Sequence, residues 1–402
     1  MVAALGTAQT LAWGSSYYLP AILADPIAVG AGVSRSFVFA AFSGALLIAA
    51  FGGPAVGRRI DRHGGRGVLV LSNIVLAAGL AVLAMTNSAV LLCAAWAILG
   101  VGMTLGLYDA AFAALTALYG RDARGPITGI TLLAGFASTV SWPLSTVLNE
   151  SLGWRETLLV WAALNLLIGL PFNLLLPVAA RPSQFARPTA RSVGWKPYKE
   201  MTLLAFVFAA AWFVTGAMAA HLPRLLELAG ATSLQVIASA ALVGPAQVAA
   251  RLVEFLMQRR SHPLISARIA ALLHPVGAAI LGAVGPAGAA AFAICYGAGN
   301  GLLTIARGTV PLAVFGPDGY GERTGLLGAP ARAAQALAPL LFGLLLDRMG
   351  ASVIIVSAAL CLAAFAALLL LRTSRREQVA GRSGRQAAFT APSRRRGRAR
   401  AA

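Results

Sequence analysis

Runs of roughly twenty apolar residues recur along nearly the whole chain, far more apolar helix than a soluble core could cover. They fall at roughly 3–24, 35–56, 67–86, 88–113, 126–148, 156–179, 201–222, 232–256, 264–284, 287–313, 324–345 and 351–372. A bilayer-spanning helix needs about 20 such residues, so the pattern predicts about twelve spans. Of the 402 residues, 58% are hydrophobic and 11% charged, whereas soluble domains carry about 25% charged residues. A transmembrane barrel would read as alternating segments of about ten residues. These runs are longer and continuously apolar, so helices are expected. The first run is long and lacks a basic leader, which reads as a first span rather than a cleaved signal.

The polar interruptions set the orientation. Gly57 to Gly67 read GRRIDRHGGRG, arginines around one aspartate between the second and third runs. The cluster predicts a short turn punctuated by glycine. Further basic residues collect at Arg121/Arg124, between Arg181 and Lys199, at Arg259/Arg260/Arg268 and after Arg372. These are alternate loops. The intervening ones carry mixed charge, with Asp25, Glu150, Arg155, Glu156, Arg224, Glu227, Asp347 and Arg348. The positive-inside rule then puts the basic loops and both termini in the cytoplasm, with the chain as a multi-pass protein of the cell inner membrane. The tail 373–402 is rich in arginine and reads as a disordered segment attracted to anionic lipid, not as a nucleic-acid binder. Cys93, Cys295 and Cys361 lie in apolar runs without metal-ligand spacing. No metal or other cofactor is expected, and no phosphate-binding loop suggests ATP hydrolysis.

The halves echo each other. A polar linker, 180–200, separates residues 1–179 from 201–372. Tyr18-Leu19-Pro20 matches His221-Leu222-Pro223, an offset of 203 (18 to 221). Gly53-Pro54-Ala55 with Arg58 and Asp61 matches Gly244-Pro245-Ala246 with Arg251 and Glu254, an offset of 193 (61 to 254). Gly100-x-Gly102 with Asp109 matches Gly297-x-Gly299 with Arg307, an offset of 198 (109 to 307), and Pro143 matches Pro339, an offset of 196 (143 to 339). Duplicated halves characterise secondary transporters that bind substrate between repeats.

On these residues the chain resembles a major facilitator superfamily transporter over about 370 residues. The superfamily's loop motif, G-x-L-a-D-r-x-G-r-k, is similar to Gly57-Arg58-Arg59-Ile60-Asp61-Arg62-His63-Gly64-Gly65-Arg66. Arg59 stands where the motif has an apolar residue. The resemblance implies an all-α membrane fold of two pseudo-symmetric six-helix bundles, working by alternating access. It also implies a gate role for Gly57, Arg58, Asp61, Arg62, Gly64 and Arg66, with Arg251 and Glu254 as the second-half copy.

Within the spans, Asp109 is the sharpest candidate, because an acid at membrane depth is expensive and functional by default. Arg307 lies at nearly the matching position and Arg332 follows in the eleventh span. Two readings stand: Asp109 pairs with Arg307 in a switch broken by substrate or proton, or the pair is permanent and structural. Arg307 and Arg332, with Gln335 one turn on, alternatively clamp an anionic substrate. Tyr17, Tyr18 and His221 line the cavity under the resemblance, joined by Ser141, Trp142 and Asn300. His221 either carries a coupling proton or marks the outer end of the seventh span. The arginine that opens the fourth-span motif of many proton-driven members would fall at Trp96. The G-x-x-x-G-P-x-x-G pattern of drug antiporters is absent from the fifth span. The expected function is a monomeric secondary transporter of a small molecule, open to proton coupling, and not an enzyme. An exporter of a toxic metabolite or metalloid such as trivalent arsenic and an importer of an organic anion are both compatible. A non-transporting membrane sensor is the other class.

Overall fold

In the computed structural model residues 1–178, 198–257 and 261–371 are described. The linker up to residue 197, the residues Arg259 and Arg260, and everything from Arg372 onward, including the basic tail, lie outside them. The described residues are helical almost throughout. In the first half, α1 (Val2–Gly14) and α2 (Pro20–Ala31) form the first span, α3 (Arg35–His63) the second and α4 (Arg66–Ala84) the third. The fourth is α5 (Ala89–Gly106) with α6 (Tyr108–Tyr119). The fifth is α7 (Arg124–Leu133) with α8 (Ala137–Leu152), and the sixth is α9 (Trp154–Leu164) with α10 (Leu170–Leu174). The second half comprises α11 (Tyr198–Leu228), α12 (Ser233–Met257), α13 (Pro263–Val284), α14 (Ala289–Phe315), α15 (Tyr320–Met349) and α16 (Val353–Leu370).

Among the described residues eight helical stretches are long and apolar enough to cross a membrane, and three of them are too long to cross once. The stretch Ala89–Leu152 has 64 residues, and at 1.5 Å per residue it would extend about 96 Å. It reverses instead at Gly120, whose φ is +55°. The stretches Pro263–Phe315 and Tyr320–Leu370 reverse at Gly285 (φ +62°) and Gly350 (φ +59°). Only glycine adopts that backbone region at no steric penalty. Eight stretches with three reversals give eleven crossings, and α1–α2 supplies the twelfth.

The two halves differ in continuity. Spans one, four, five and six of the first half are interrupted, whereas α11 to α16 run unbroken. In the first span Ser16 Oγ donates to the Ala12 carbonyl at 2.5 Å, and the Tyr18 N–H reaches back to Trp13 at 3.0 Å. Such side-chain competition for backbone acceptors disfavours regular helix. Pro20 then restarts it as a first-turn residue of α2, the one helical site where a missing N–H is harmless. The fourth span breaks at Leu107, which is extended (ψ −175°). The fifth narrows to a 3-10 turn at Ala134–Phe136, ahead of Pro143 rather than at it.

The arginine cluster departs from its sequence reading. It is not mainly a turn: α3 continues through Ile60 to His63, and the reversal is confined to Gly64 and Gly65. Arg62 and His63 occupy the last turn of α3, where the helix dipole favours cations.

Two of the four buried apolar clusters draw only on residues of the second half, one of them around Phe292 and Phe342 and the other around Phe208 and Leu368. A third, around Trp96 and Trp161, is built from first-half residues. The fourth is mostly first-half but takes in Leu312 and Tyr320, and so joins the halves near the arginine-rich end.

Candidate functional site: a charged seam between the halves

Where α3 meets α15 the helices run antiparallel at backbone distance. A Cβ on Gly325 would lie 2.6 Å from the Gly53 carbonyl, and one on Gly57 would strike the Gly321 carbonyl. This approach brings the carboxylate of Asp61 to the first turn of α15. There it accepts from the N–H groups of Gly321 (2.8 Å) and Glu322 (2.9 Å). First-turn N–H groups have no partner within their own helix, and an anion there also meets the positive end of the dipole. Beside it Arg58 pairs with Glu322 at 3.2 Å, both half-exposed.

The second-half counterpart sits between α12 and α7. Glu254 accepts from Arg124 Nη2 at 3.1 Å and from Ser266 Oγ at 2.6 Å, while Arg124 Nη1 donates to the Ser261 carbonyl at 2.6 Å. The Arg124–Glu254 pair is the repeat copy of the contact between Asp61 and Glu322, not of the Arg58–Glu322 pair. Arg58 corresponds to Arg251 and Asp61 to Glu254, while Arg124 lies 198 residues (124 to 322) before Glu322. Arg62 is exposed and Arg66 half-buried, and neither forms an ion pair among the described residues. Gly64 supplies the reversal after α3.

Deeper in the seam lies a triad. Asp109 stands in the first turn of α6, directly after the break at Leu107. Its Oδ2 accepts from Arg307 Nη2 on α14 at 2.6 Å and also from Arg332 Nη2 on α15. Arg332 Nη1 donates to the Ala49 carbonyl of α3 at 2.6 Å. The Arg307 guanidinium lies over the Trp212 ring of α11, 4.8 Å from its centroid. All three charged side chains are about nine-tenths buried, yet Asp109 Oδ1 is buried without a partner. One carboxylate from the first half thus holds two arginines from the second. The fork of each guanidinium is only partly used, since the Nε of both and Nη1 of Arg307 have no acceptor among the described residues.

An aromatic group leads away from the triad through the first-half breaks. Tyr108, next to Asp109, lies 4.8 Å from Trp13 and stacks on Phe112 at 5.2 Å. Trp13 meets Tyr17 at 5.2 Å and Tyr17 meets Tyr18 at 5.4 Å. Tyr18 meets Trp142 at 6.0 Å. Trp142 lines a cavity of about 560 Å³ with Ser138, Thr139, Pro143, Thr146 and Val147. Ser141, its neighbour, is buried with its hydroxyl unpartnered. Tyr17 accepts from Gln335 Nε2 at 2.6 Å, a polar bridge from the first span to α15. Asn300 Oδ1 lies 2.9 Å from Thr215 Oγ1. His221 bonds the Pro339 carbonyl at 2.7 Å and stacks on Phe342, so its described partners lie within the second half and away from the triad. Trp96 is fully buried, edge-on to Phe42 at 5.3 Å.

Among the described residues the ion pairs that cross between halves gather at one end of the seam. Arg58–Glu322, Arg124–Glu254 and the triad all cross between halves. At the other end the described ion pairs, Arg35–Asp25 and Arg224–Asp347, each stay within one half. There α2 packs on α3, α8 and α9.

Sequence reasoning missed Arg124 as the partner of Glu254, Trp212 as the platform of Arg307, and the Ala49 carbonyl. It also missed a fully buried ladder on the first half's far side. Asn73 Nδ2 donates to Asn165 Oδ1 at 3.3 Å, Asn173 Nδ2 to Asn73 Oδ1 at 2.6 Å, and Asn165 Nδ2 to Ser15 Oγ at 2.9 Å.

A family model described as Major Facilitator Superfamily matches residues 5–312. Among solved structures, the transporter FucP in an outward conformation is 13% identical with a TM-score of 0.74, covering 93% of this chain and 99% of its own. The human organic anion transporter MFSD10 is 21% identical with a TM-score of 0.67, covering 91% and 98%. The proton:xylose symporter XylE is 13% identical with a TM-score of 0.71, covering 92% and 96%. No curated protein matches the chain.

Proposed function

The chain belongs to the Major Facilitator Superfamily, and from that premise we propose that it is a secondary active transporter that carries a small organic anion by alternating access. The observation that supports the substrate charge is the triad, in which Arg307 and Arg332 outnumber Asp109 in a nearly dry seam. A buried cation without a counter-charge is strongly unfavourable. An anion entering from the aromatic side meets unused guanidinium N–H groups, and Trp13, Tyr17, Tyr18 and Trp142 offer faces to its apolar body.

In this reading residues 1–179 and 201–372 are the rocking bundles, and the Asp61 and Glu254 contacts are the gate. The basic loops support a position for that gate on the cytoplasmic face of the inner membrane. Asp109 is the coupling residue: an anion that takes over its two arginines leaves it free to bind a proton. Two structural neighbours, FucP and XylE, are described as proton symporters. The binding cycle is reversible, so the prevailing gradient sets import or export. Among the described residues no group of three His, Cys, Asp or Glu side chains stands together, and no observation favours a metalloid.

The test is flux of labelled organic anions into proteoliposomes holding the purified chain. Arg307→Gln and Asp109→Asn, at unchanged yield and melting temperature, should each lower saturable flux by about tenfold or more. Unaltered flux in both variants would leave a membrane sensor as the better account.

A further inference from the structure

Arg251 is 5% exposed and has no carboxylate in ion-pair range among the described residues. Sequence symmetry makes it the second-half gate arginine, but the gate acid beside it, Glu254, is already engaged by Arg124 and Ser266. Arg251 instead turns from α12 across the seam to the break in the fifth span. Its Nη1 donates to the Thr131 carbonyl at 3.3 Å. Its Nη2 reaches Thr304 Oγ1 at 3.4 Å and Gln247 Oε1 at 3.5 Å. All three contacts are long and neutral, and Nε is buried with no partner among the described residues. The head is seated on Gly135, where any Cβ would strike Nη1. A site shaped to admit a guanidinium, yet furnished with weak acceptors, is unfinished as a structural ion pair.

Arg251 reaches the helix that carries the triad's Arg307. Its contact Thr304 lies three residues before Arg307 on α14, and side chains at that spacing are about 5–6 Å apart on one helix face. Three nearly buried arginines, Arg251, Arg307 and Arg332, therefore share one stretch of seam with the single carboxylate of Asp109, an excess of two positive charges.

We propose that Arg251 is a second anion anchor and that the ligand is a short dicarboxylate, one carboxylate on Arg307 and Arg332 and the other on Arg251. This rests on the transporter reading of the same site. A dicarboxylate carries two negative charges, which match the excess of two positive ones, and a planar guanidinium offers each carboxylate a forked donor.

Thermal unfolding of the full chain in detergent, titrated with succinate, glutarate, butyrate and valerate, separates the possibilities. The dicarboxylates should stabilise the protein at concentrations about tenfold or more below those of the monocarboxylates of equal chain length. Arg251→Gln should abolish that preference while leaving the monocarboxylate response unchanged. Arg251→Lys keeps the buried charge without the fork, guards against a folding defect, and should fall between the two. Equal response to both classes, no response to either dicarboxylate, or an Arg251→Gln variant that keeps the preference overturns the proposal. The transporter reading fails separately: there Arg307→Gln would leave both binding and flux intact.

Discussion

Asp61→Asn is the perturbation that most directly weighs the gate. The wild-type carboxylate holds two backbone N–H groups of α15 at 2.8 and 2.9 Å. The amide keeps one acceptor oxygen, turns an NH2 toward the other N–H, and loses the charge. One charge-assisted hydrogen bond is worth about 1.5–3 kcal/mol net. The charge at a partly buried helix N-terminus accounts for up to about 2 kcal/mol. These overlap, so about 2–3 kcal/mol of closed-state stability should go, equivalent to roughly a 30- to 150-fold shift toward the state in which α3 and α15 part. The neighbouring Arg58–Glu322 pair is half-exposed on both sides, and such pairs contribute only about 0–1 kcal/mol. Arg58→Gln should therefore shift the equilibrium less than about fivefold. Double electron–electron resonance between spin labels at Arg62→Cys and Asp318→Cys, both exposed positions flanking the contact, reads the populations in a background lacking the three native cysteines. A new long-distance population in Asp61→Asn and almost none in Arg58→Gln is expected. Equal effects of the two substitutions, or none from Asp61→Asn, would show that the helix-end contact does not hold the seam shut.

Three further outcomes can be checked on the same preparations. Gly325→Leu puts a side chain where Gly53 lies within 2.6 Å of the Cβ; overpacking typically costs about 1–3 kcal/mol, so the long-distance population should appear there without any change in charge. Arg59 is exposed and forms no ion pair among the described residues, so Arg59→Leu should leave the distance distribution as in wild type. Asn165→Leu strands the amides of Asn73 and the hydroxyl of Ser15 in a dry interior, and at about 1–3 kcal/mol for an unsatisfied buried group it should lower the melting temperature measurably in detergent.

The legible parts of the fold were those that a periodic or repeated signal carries. Apolar runs located the spans, and the motif at Gly57 to Arg66 singled out Asp61, which bonds the first turn of α15 across the seam. The repeat offset of 198 (109 to 307) put Asp109 opposite Arg307, and the triad has them in contact. The same offset carries Arg124 onto Glu322 (124 to 322), which marks it as a seam residue, but in topology Arg124 weighs as one loop charge among many. Other features leave no one-dimensional trace. Leu107 has no residue-level reason to be extended, since a leucine there is an ordinary helix former. Its break is set by Gln9, whose side chain takes the Gly106 carbonyl at 2.6 Å from another span. Nothing in the sequence marks Trp212 as the ring on which Arg307 lies. Asn73, Asn165 and Asn173 lie on two different spans, and only packing reveals that they form one chain of amides.

The broken first half and the continuous second half assign different tasks to the two sides of the seam. Arg307 and Arg332 project from unbroken helices, so their guanidiniums are carried as rigid fixtures of one half. Asp109 stands at the start of a half-helix, where the dipole of α6 supports its charge even when an arginine leaves. A ligand moves a conformational equilibrium only by its differential affinity for the two states. An anion that binds the arginines competes with Asp109 for the same N–H groups, so each bond it makes loosens the link between halves. The exchange keeps an anion on the arginines throughout, and only the Asp109 carboxylate is released. In the proposed cycle the deep contact yields to ligand, whereas Asp61 and Glu254, bonded to backbone and arginine at the seam's end, do not share those donors. Opening then requires the end contacts to be individually weak enough for the ligand-weakened seam to part, and a gate contact of about 2–3 kcal/mol lies within the range of coupling energies of about 1–3 kcal/mol that such linkage supplies.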